Sequence, residues 1–188
     1  MQIIFGGSFN PPTIAHLEIY KFVKERINFD KFVFLPVSTV YHKNNLVSNE
    51  DRYNMLKLMT QNYDDIIISR DEFDDKKYLG TYHYLKSQKE ESFFLIGSDN
   101  LRDLETWIEF EKLVSEFHFI VISRDNSDDE SYIKHHHVLK NHINNFIILK
   151  GFNISISSSE FRLTHRKKIV DKKVYDYIEE KHLYGGTL

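Results

Sequence analysis

A histidine, a threonine and two glycines near the start of the chain are spaced to bind a phosphate. The segment Gly6-Gly7-Ser8-Phe9-Asn10-Pro11-Pro12-Thr13-Ile14-Ala15-His16 follows a short apolar run and leads into a helical pattern. Glycines allow a sharp turn and leave bare main chain for a ligand to approach. A helix start offers unpaired N–H groups and the positive end of a dipole, and together these make an anion site. Two glycines alone also describe a tight turn that binds nothing. His16 shifts the balance: it lies three residues after Thr13 on the same helix face, placed to donate hydrogen bonds to phosphate oxygens. Neither GxGxxG nor GxxxxGK[ST] is present, which excludes the dehydrogenase fingerprint and the P-loop.

Two further groups have similar chemistry. Gly97 ends the apolar run Phe93-Phe94-Leu95-Ile96 and is followed by Ser98 and Asp99. Asp99 is placed either to accept hydrogen bonds from ribose hydroxyls or to cap the next helix. Trp107, the only tryptophan, is either core or a platform for a flat ring. Near the end, Ile156-Ser157-Ser158-Ser159-Glu160-Phe161-Arg162 puts serines at a helix start, ordinarily caps, with an arginine one turn on. The same hydroxyls and N–H groups can hold phosphates while the guanidinium neutralises charge. His135, His136 and His137 are adjacent, so on a helix they point in different directions and read as polar surface rather than a metal cage.

The elements that must position these groups alternate along the chain. Short apolar runs at Ile3–Phe5, Phe32–Leu35, Ile66–Ile68, Phe93–Ile96, Phe119–Ile122 and Phe146–Leu149 predict six buried strands, the first and fourth stopping at glycines. Helical patterns fall between them: Ile14–Ile27, a helix capped by Ser48 with Asp51 at capping-box spacing, Thr81–Ser87, Leu101–Val114 in two pieces around Trp107, Ser131–His142, and two helices closing the chain. The acidic stretch Asp125–Ser131 reads as a solvated loop. The expected fold class is therefore α/β, a doubly wound parallel sheet flanked by helices on both faces. In such sheets ligands bind beyond the carboxyl ends of the strands, where all three groups above would sit.

Composition sets the outer limits. The 188 residues are 41% hydrophobic and 28% charged, with no cysteine and a formal net charge of −3. That excludes a disulfide framework, a thiolate metal site and a cysteine nucleophile, and argues against a nucleic-acid partner. Met1–Phe5 is too short for a signal peptide and no run approaches a membrane span, so one cytoplasmic domain over 1–188 without a membrane partner is expected. No sequence feature reports oligomeric state.

The glycine segment resembles the GGxFDPxHxGH signature of the nucleotidylyltransferase superfamily, with Thr13, Ala15 and Asn10 in place of its first histidine, last glycine and aspartate. Ile96-Gly97-Ser98-Asp99 with Leu104 and Trp107 resembles the IGxDxxxxLxxW pattern of bacterial nicotinate-mononucleotide adenylyltransferases, and Ile156–Arg162 their ISSTxIR motif. Phe34-Leu35-Pro36 with Lys43 resembles the FxP…PxK loop, Arg52 an arginine opening the next helix, and Arg124 an arginine-containing loop. Gly80–Leu85 stands where the family reads YTxDTL; Thr81 matches, while His83 and Tyr84 replace aspartate and threonine. The resemblance implies a Rossmann-like nucleotidylyltransferase fold, with residues 151–188 completing an ATP site. It implies adenylyl transfer from ATP, with Mg²⁺, to nicotinate mononucleotide, giving nicotinate adenine dinucleotide and pyrophosphate in NAD biosynthesis; nicotinamide mononucleotide or phosphopantetheine as acceptor, or a non-catalytic nucleotide-binding regulator, are the alternatives. It places Gly6, Gly7, Ser8, Phe9, Thr13, His16, Gly97, Asp99, Ser157, Ser158 and Arg162 on ATP, and Lys43, Thr81, Trp107 and Arg124 on the acceptor. His16, Lys43 and Arg162 are the implied catalytic residues.

Overall fold

Six parallel strands carry the apolar runs: β1 Gln2–Gly7, β2 Lys31–Pro36, β3 Ile66–Ile68, β4 Ser92–Gly97, β5 His118–Ile122 and β6 Phe146–Leu149. They form one sheet in the order β3-β2-β1-β4-β5-β6 in the computed structural model, which describes residues 1–39, 46–73, 79–123 and 127–185. Register is set by aromatic and branched neighbours: Ile3 lies between Phe32 and Phe93, and Ile120 between Leu95 and Ile147. Strand periodicity divides these side chains between two cores. Ile3, Phe32, Phe34, Leu95, Ile120 and Ile122 pack on one face with Tyr20, Met55, Val174 and Ile178. Ile4, Val33, Phe94, Ile96, Phe119 and Val121 pack on the other with Leu85, Leu101, Leu113 and Ile133. Both faces are covered, which is why the strands read as continuous apolar runs rather than alternating ones.

The helices are α1 Ile14–Lys24, α2 Asn49–Thr60, α3 Thr81–Ser87, α4 Ser98–Asp103, α5 Phe110–Glu116, α6 Asp129–His135, α7 Ser158–Thr164 and α8 Lys172–Glu180. As expected, the Ser48 hydroxyl accepts from the Asp51 N–H at 3.0 Å and starts α2, and the chain breaks at Trp107 between α4 and α5. Three expectations need correction. The first and fourth strands run through their glycines: Gly7 pairs with Pro36, and Gly97 with Ile122. Asp125–Ser131 is not simply a solvated loop, because α6 begins at Asp129, whose side chain is fully buried. The helix expected over Ser131–His142 ends at His135, where the following N–H groups of Val138 and Leu139 turn to His136 Nδ1.

The strand order reverses between β1 and β4, so their flanking helices leave on opposite faces and a crevice opens at their carboxyl ends. Among the described residues no helix is long and apolar enough to cross a membrane.

Candidate active site

That crevice holds a cavity of about 690 Å³. Phe5, Leu95, Gly97 and Ile122 line it from the ends of β1, β4 and β5; Ser8, Phe9, Asn10, Thr13 and His16 line it from the glycine segment and α1; Phe152, Ile154, Ile156, Ser157, Ser158, Ser159 and Arg162 close the far side.

His16 is held in one tautomer. Its Nδ1 accepts the Thr13 backbone N–H at 2.8 Å, with Thr13 Oγ1 at 2.9 Å. An accepting Nδ1 leaves the proton on Nε2, the nitrogen free to serve as a donor. Phe9 stands edge-on to the ring at 5.1 Å and Phe5 packs at 6.0 Å. Desolvation among these groups pushes His16 down to about 4, against a smaller raising effect from the Thr13 backbone. The imidazole is therefore neutral at pH 7 and acts as a hydrogen-bond donor rather than a cation. Thr13 is the N-cap of α1 rather than part of its first turn, and it is fully buried.

This depressed value has a stability consequence. Between about 4 and 6.5 the unfolded chain binds a proton that the folded chain refuses, so stability falls as pH drops through that window. His16 is half-buried where it lines the cavity, which limits the loss to at most about 3 kcal/mol. Thermal unfolding of wild type and His16→Asn at pH 7 and 4.5 checks this. The wild type is expected to lose more stability on acidification, and equal losses would refute it.

The loop from Ser8 to Pro11 is clamped from three directions. Arg52 Nη1 donates to the Ser8 carbonyl at 2.8 Å, Arg162 Nη1 to the Asn10 carbonyl at 2.6 Å, and Ser158 Oγ to the Pro11 carbonyl at 2.7 Å. Carbonyl oxygens facing a phosphate would repel it; these are engaged by donors. Arg162 also donates from Nη2 to Ser159 Oγ at 2.9 Å, leaving further N–H groups toward the cavity it lines. Arg52 is fully buried, with an exposure of 0%, and its Nη2 also donates to Asn49 Oδ1 at 2.6 Å. Burial pushes its pKa down to about 10, opposed by Tyr184 and Glu72. Asn10 Oδ1 accepts from the Val47 N–H and the Tyr184 hydroxyl, so the amide keeps the acceptor function an aspartate would have.

The two glycines act differently from the sequence expectation. A β-carbon at Gly6 would meet Phe94 Cζ at 2.9 Å, and one at Gly7 would meet Phe9 Cζ at 2.9 Å. An aromatic ring thus lies where each β-carbon would project, and neither glycine lines the cavity. The left-handed residue is instead Phe9, with φ 45°. Gly97 does line the cavity, with open space where its β-carbon would be.

Asp99 is exposed at the cavity wall in the first turn of α4, whose N-cap is Gly97; this removes the capping alternative for Asp99. Beside it, Ser98 Oγ donates to buried Asp129 Oδ2 at 2.7 Å, and Arg102 faces the other carboxylate oxygen at 2.9 Å. Burial raises the Asp129 pKa, but Ser123, Ser98, Ser127 and Arg102 outweigh it and hold the carboxyl below its usual value. This network ties Gly97-Ser98 to the end of β5. Ser157 caps α7, its Oγ accepting from the Glu160 N–H at 3.1 Å.

Thr81 and Trp107 are not in this cavity. Thr81 is buried at the head of α3, and Trp107 is half-buried edge-on to Phe94 at 5.9 Å, on the sheet face opposite Phe5 and Leu95. Lys43 and Arg124 lie outside the described residues. The histidine triplet is only partly surface: His135 and His137 are exposed, while the His136 side chain is 8% exposed. Glu105 Oε2 lies 3.3 Å from His136 Nε2, and Glu105 Oε1 lies 3.5 Å from His137 Nε2. These groups are within ligand distance of one another, but His136 Nδ1 accepts two backbone N–H groups, which leaves the proton on Nε2. That nitrogen is a donor to Glu105 and not a metal ligand.

Comparison with known proteins gives the family. A family model described as cytidylyltransferase-like matches residues 4–164. The probable nicotinate-nucleotide adenylyltransferase of Acholeplasma laidlawii is 33% identical, covering 98% of this chain and 97% of its own. This chain belongs to the nicotinate-nucleotide adenylyltransferase family. Two solved structures of another such protein, the nicotinic acid mononucleotide adenylyltransferase of Plasmodium falciparum, resemble it along nearly the whole chain. The one complexed with NaAD has a TM-score of 0.77 and the one complexed with APC 0.76, each at 28% identity and covering 99% of this chain and 98% of that one. The family resemblance read from Gly6–His16, Gly97–Trp107 and Ile156–Arg162 is thus supported over a span that includes all three motifs. Of the residues that brace the site, Arg52 had a sequence signal in its family position, whereas Tyr184 and Asp129 had none, because their partners are 174 and 31 residues away.

Proposed function

We propose that the chain transfers an adenylyl group from ATP to nicotinate mononucleotide, giving nicotinate adenine dinucleotide and pyrophosphate. The observation that carries this is the pairing of a neutral, Nε2-protonated His16 with Arg162 at one cavity beside the β1/β4 reversal. A phosphate oxygen of the mononucleotide attacks the α-phosphorus, and the bond from that phosphorus to the bridging oxygen of pyrophosphate breaks. The attacking phosphate is already ionised at neutral pH, so no general base is required. Positioning and charge stabilisation supply the catalysis. His16 donates to the triphosphate without adding charge, and Arg162 neutralises it. The α1 N-terminus adds its dipole. Asp99 is the ribose acceptor. The segment from Phe152 onward completes the ATP site through Ser159 and Arg162.

Mg²⁺ fits this cavity as a companion of the triphosphate. Asp99 is the one carboxylate among the described residues lining it, which suits a cation held mainly by phosphate oxygens and water. Bound there, it would disperse the charge of the leaving pyrophosphate.

Pyrophosphate release from ATP plus nicotinate mononucleotide tests the reading, with nicotinamide mononucleotide run in parallel. Release with the nicotinate substrate, and a lower rate with the amide, is expected. A faster rate with the amide would overturn the acceptor, and no release with either would overturn the activity.

A further inference from the structure

The chain reaches the catalytic loop a second time, from its far end. After α8 the backbone turns back through two left-handed residues, His182 at φ 51° and Tyr184 at φ 61°. Side chains with a β-carbon resist that conformation, so such residues persist only where surrounding contacts impose it. The contacts here are specific. The Tyr184 ring stands edge-on to Phe161, with centroids 6.1 Å apart, and its hydroxyl donates to Asn10 Oδ1 at 2.8 Å. The Val47 N–H donates to the same oxygen at 3.2 Å. Burial pushes the phenol pKa upward, so the group stays a donor at any pH the enzyme meets. α8 itself is anchored to α2, where the Tyr177 hydroxyl donates to Asp51 Oδ1 at 2.9 Å, so the returning segment starts from a fixed base.

We infer that Tyr184 is a positioning residue for nucleotide binding: its hydroxyl fixes the Asn10 side chain and thereby the loop whose carbonyl holds Arg162. Asn10 links the tyrosine to the arginine. Its side-chain oxygen takes the tyrosine, and its backbone oxygen takes the Arg162 guanidinium at 2.6 Å. Loss of the first contact removes one support of the loop on which the second depends, while Arg52, Ser158 and the Val47 N–H keep theirs. Tyr184 does not line the cavity, so its effect reaches ATP through Asn10 and Arg162. Nothing in this linkage involves the opposite sheet face with Thr81 and Trp107, so acceptor contacts made on that face should not respond.

The inference rests on ATP occupying this cavity, and the test separates the two. Tyr184→Phe keeps the ring on Phe161 and removes only the hydroxyl. Its affinity for ATP alone, measured by calorimetry, is expected to fall about three- to tenfold, the range for one lost hydrogen bond. The KM for ATP should rise similarly while the KM for nicotinate mononucleotide stays within twofold. Combining Tyr184→Phe with Asn10→Ala should weaken ATP no more than Asn10→Ala alone, because the hydroxyl acts through that side chain. Unchanged ATP affinity in Tyr184→Phe, or equal rises in both KM values, would overturn the positioning role while leaving the activity intact. If wild type binds no ATP, the site reading and this inference fall together.

Discussion

His16→Ala is expected to lower kcat by more than about 10², the cost of removing one preorganised donor from a developing anionic centre, or roughly 3 kcal/mol. The side chain combines two features that make it hard to replace. Its Nδ1 is occupied by the Thr13 N–H, so the Nε2 proton is oriented without rotational freedom. Desolvation keeps the ring neutral, with a pKa of about 4, so this donor is present at full strength from pH 6 upward. The pH profile is therefore as informative as the rate. No inflection from His16 should appear in kcat between pH 6 and 8. An inflection near 6.5 that vanishes in His16→Asn would show that the imidazolium, rather than the neutral ring, does the work. Since His16 completes the capping box with Thr13, the N-cap of α1, the alanine variant should lose about 1 kcal/mol of stability, so kinetics belong well below its Tm. An unchanged kcat in folded protein would remove His16 from the mechanism.

The second large effect is expected at Arg162. Its guanidinium donates from Nη1 to the Asn10 carbonyl and from Nη2 to Ser159 Oγ while lining the cavity. Charge neutralisation and loop geometry thus come from one planar group. Arg162→Ala should reduce kcat/KM for ATP by about 10² to 10³, since both a charge-assisted donor and the loop clamp are lost. Arg162→Lys separates the two contributions. A lysine retains the charge but presents a compact ammonium that cannot span both acceptors, so its kcat/KM should remain at least about tenfold below wild type. Steady-state kinetics with ATP varied decide the matter. Full activity in the lysine variant would mean that charge alone suffices, and full activity in the alanine variant would place Arg162 outside the reaction.

The legible part of this protein is local. Ile3–Phe5, Phe93–Ile96 and Phe119–Ile122 suit strands because a sheet covered on both faces buries nearly every residue of such a run. The Ser48 cap and the break at Trp107 follow from near-neighbour chemistry in the same way. His16 was recognisable because its partner, Thr13, is three residues away and the helix between them is regular. The glycines were legible as special positions but not in their purpose. Gly6 and Gly7 look like room for a ligand, and only the packed sheet shows Phe94 and Phe9 occupying that room.

Arg52 marks the other limit. A lone arginine opening a helix has every reason to be solvated, yet this one is buried and bonded to Ser8, 44 residues earlier. Asp129 similarly lies in an acidic stretch that looks exposed, and is instead the buried anchor of Ser98. The sequence by itself determined the elements, their alternation, the family and the residue types available for phosphate chemistry, because hydrophobic period and turn chemistry act over a few residues. Only the tertiary structure decided which of those polar groups meet. It brought Arg52, Arg162 and Tyr184 onto one short loop and left Trp107 on the opposite face, because contacts between distant residues depend on the path of the whole chain around the sheet.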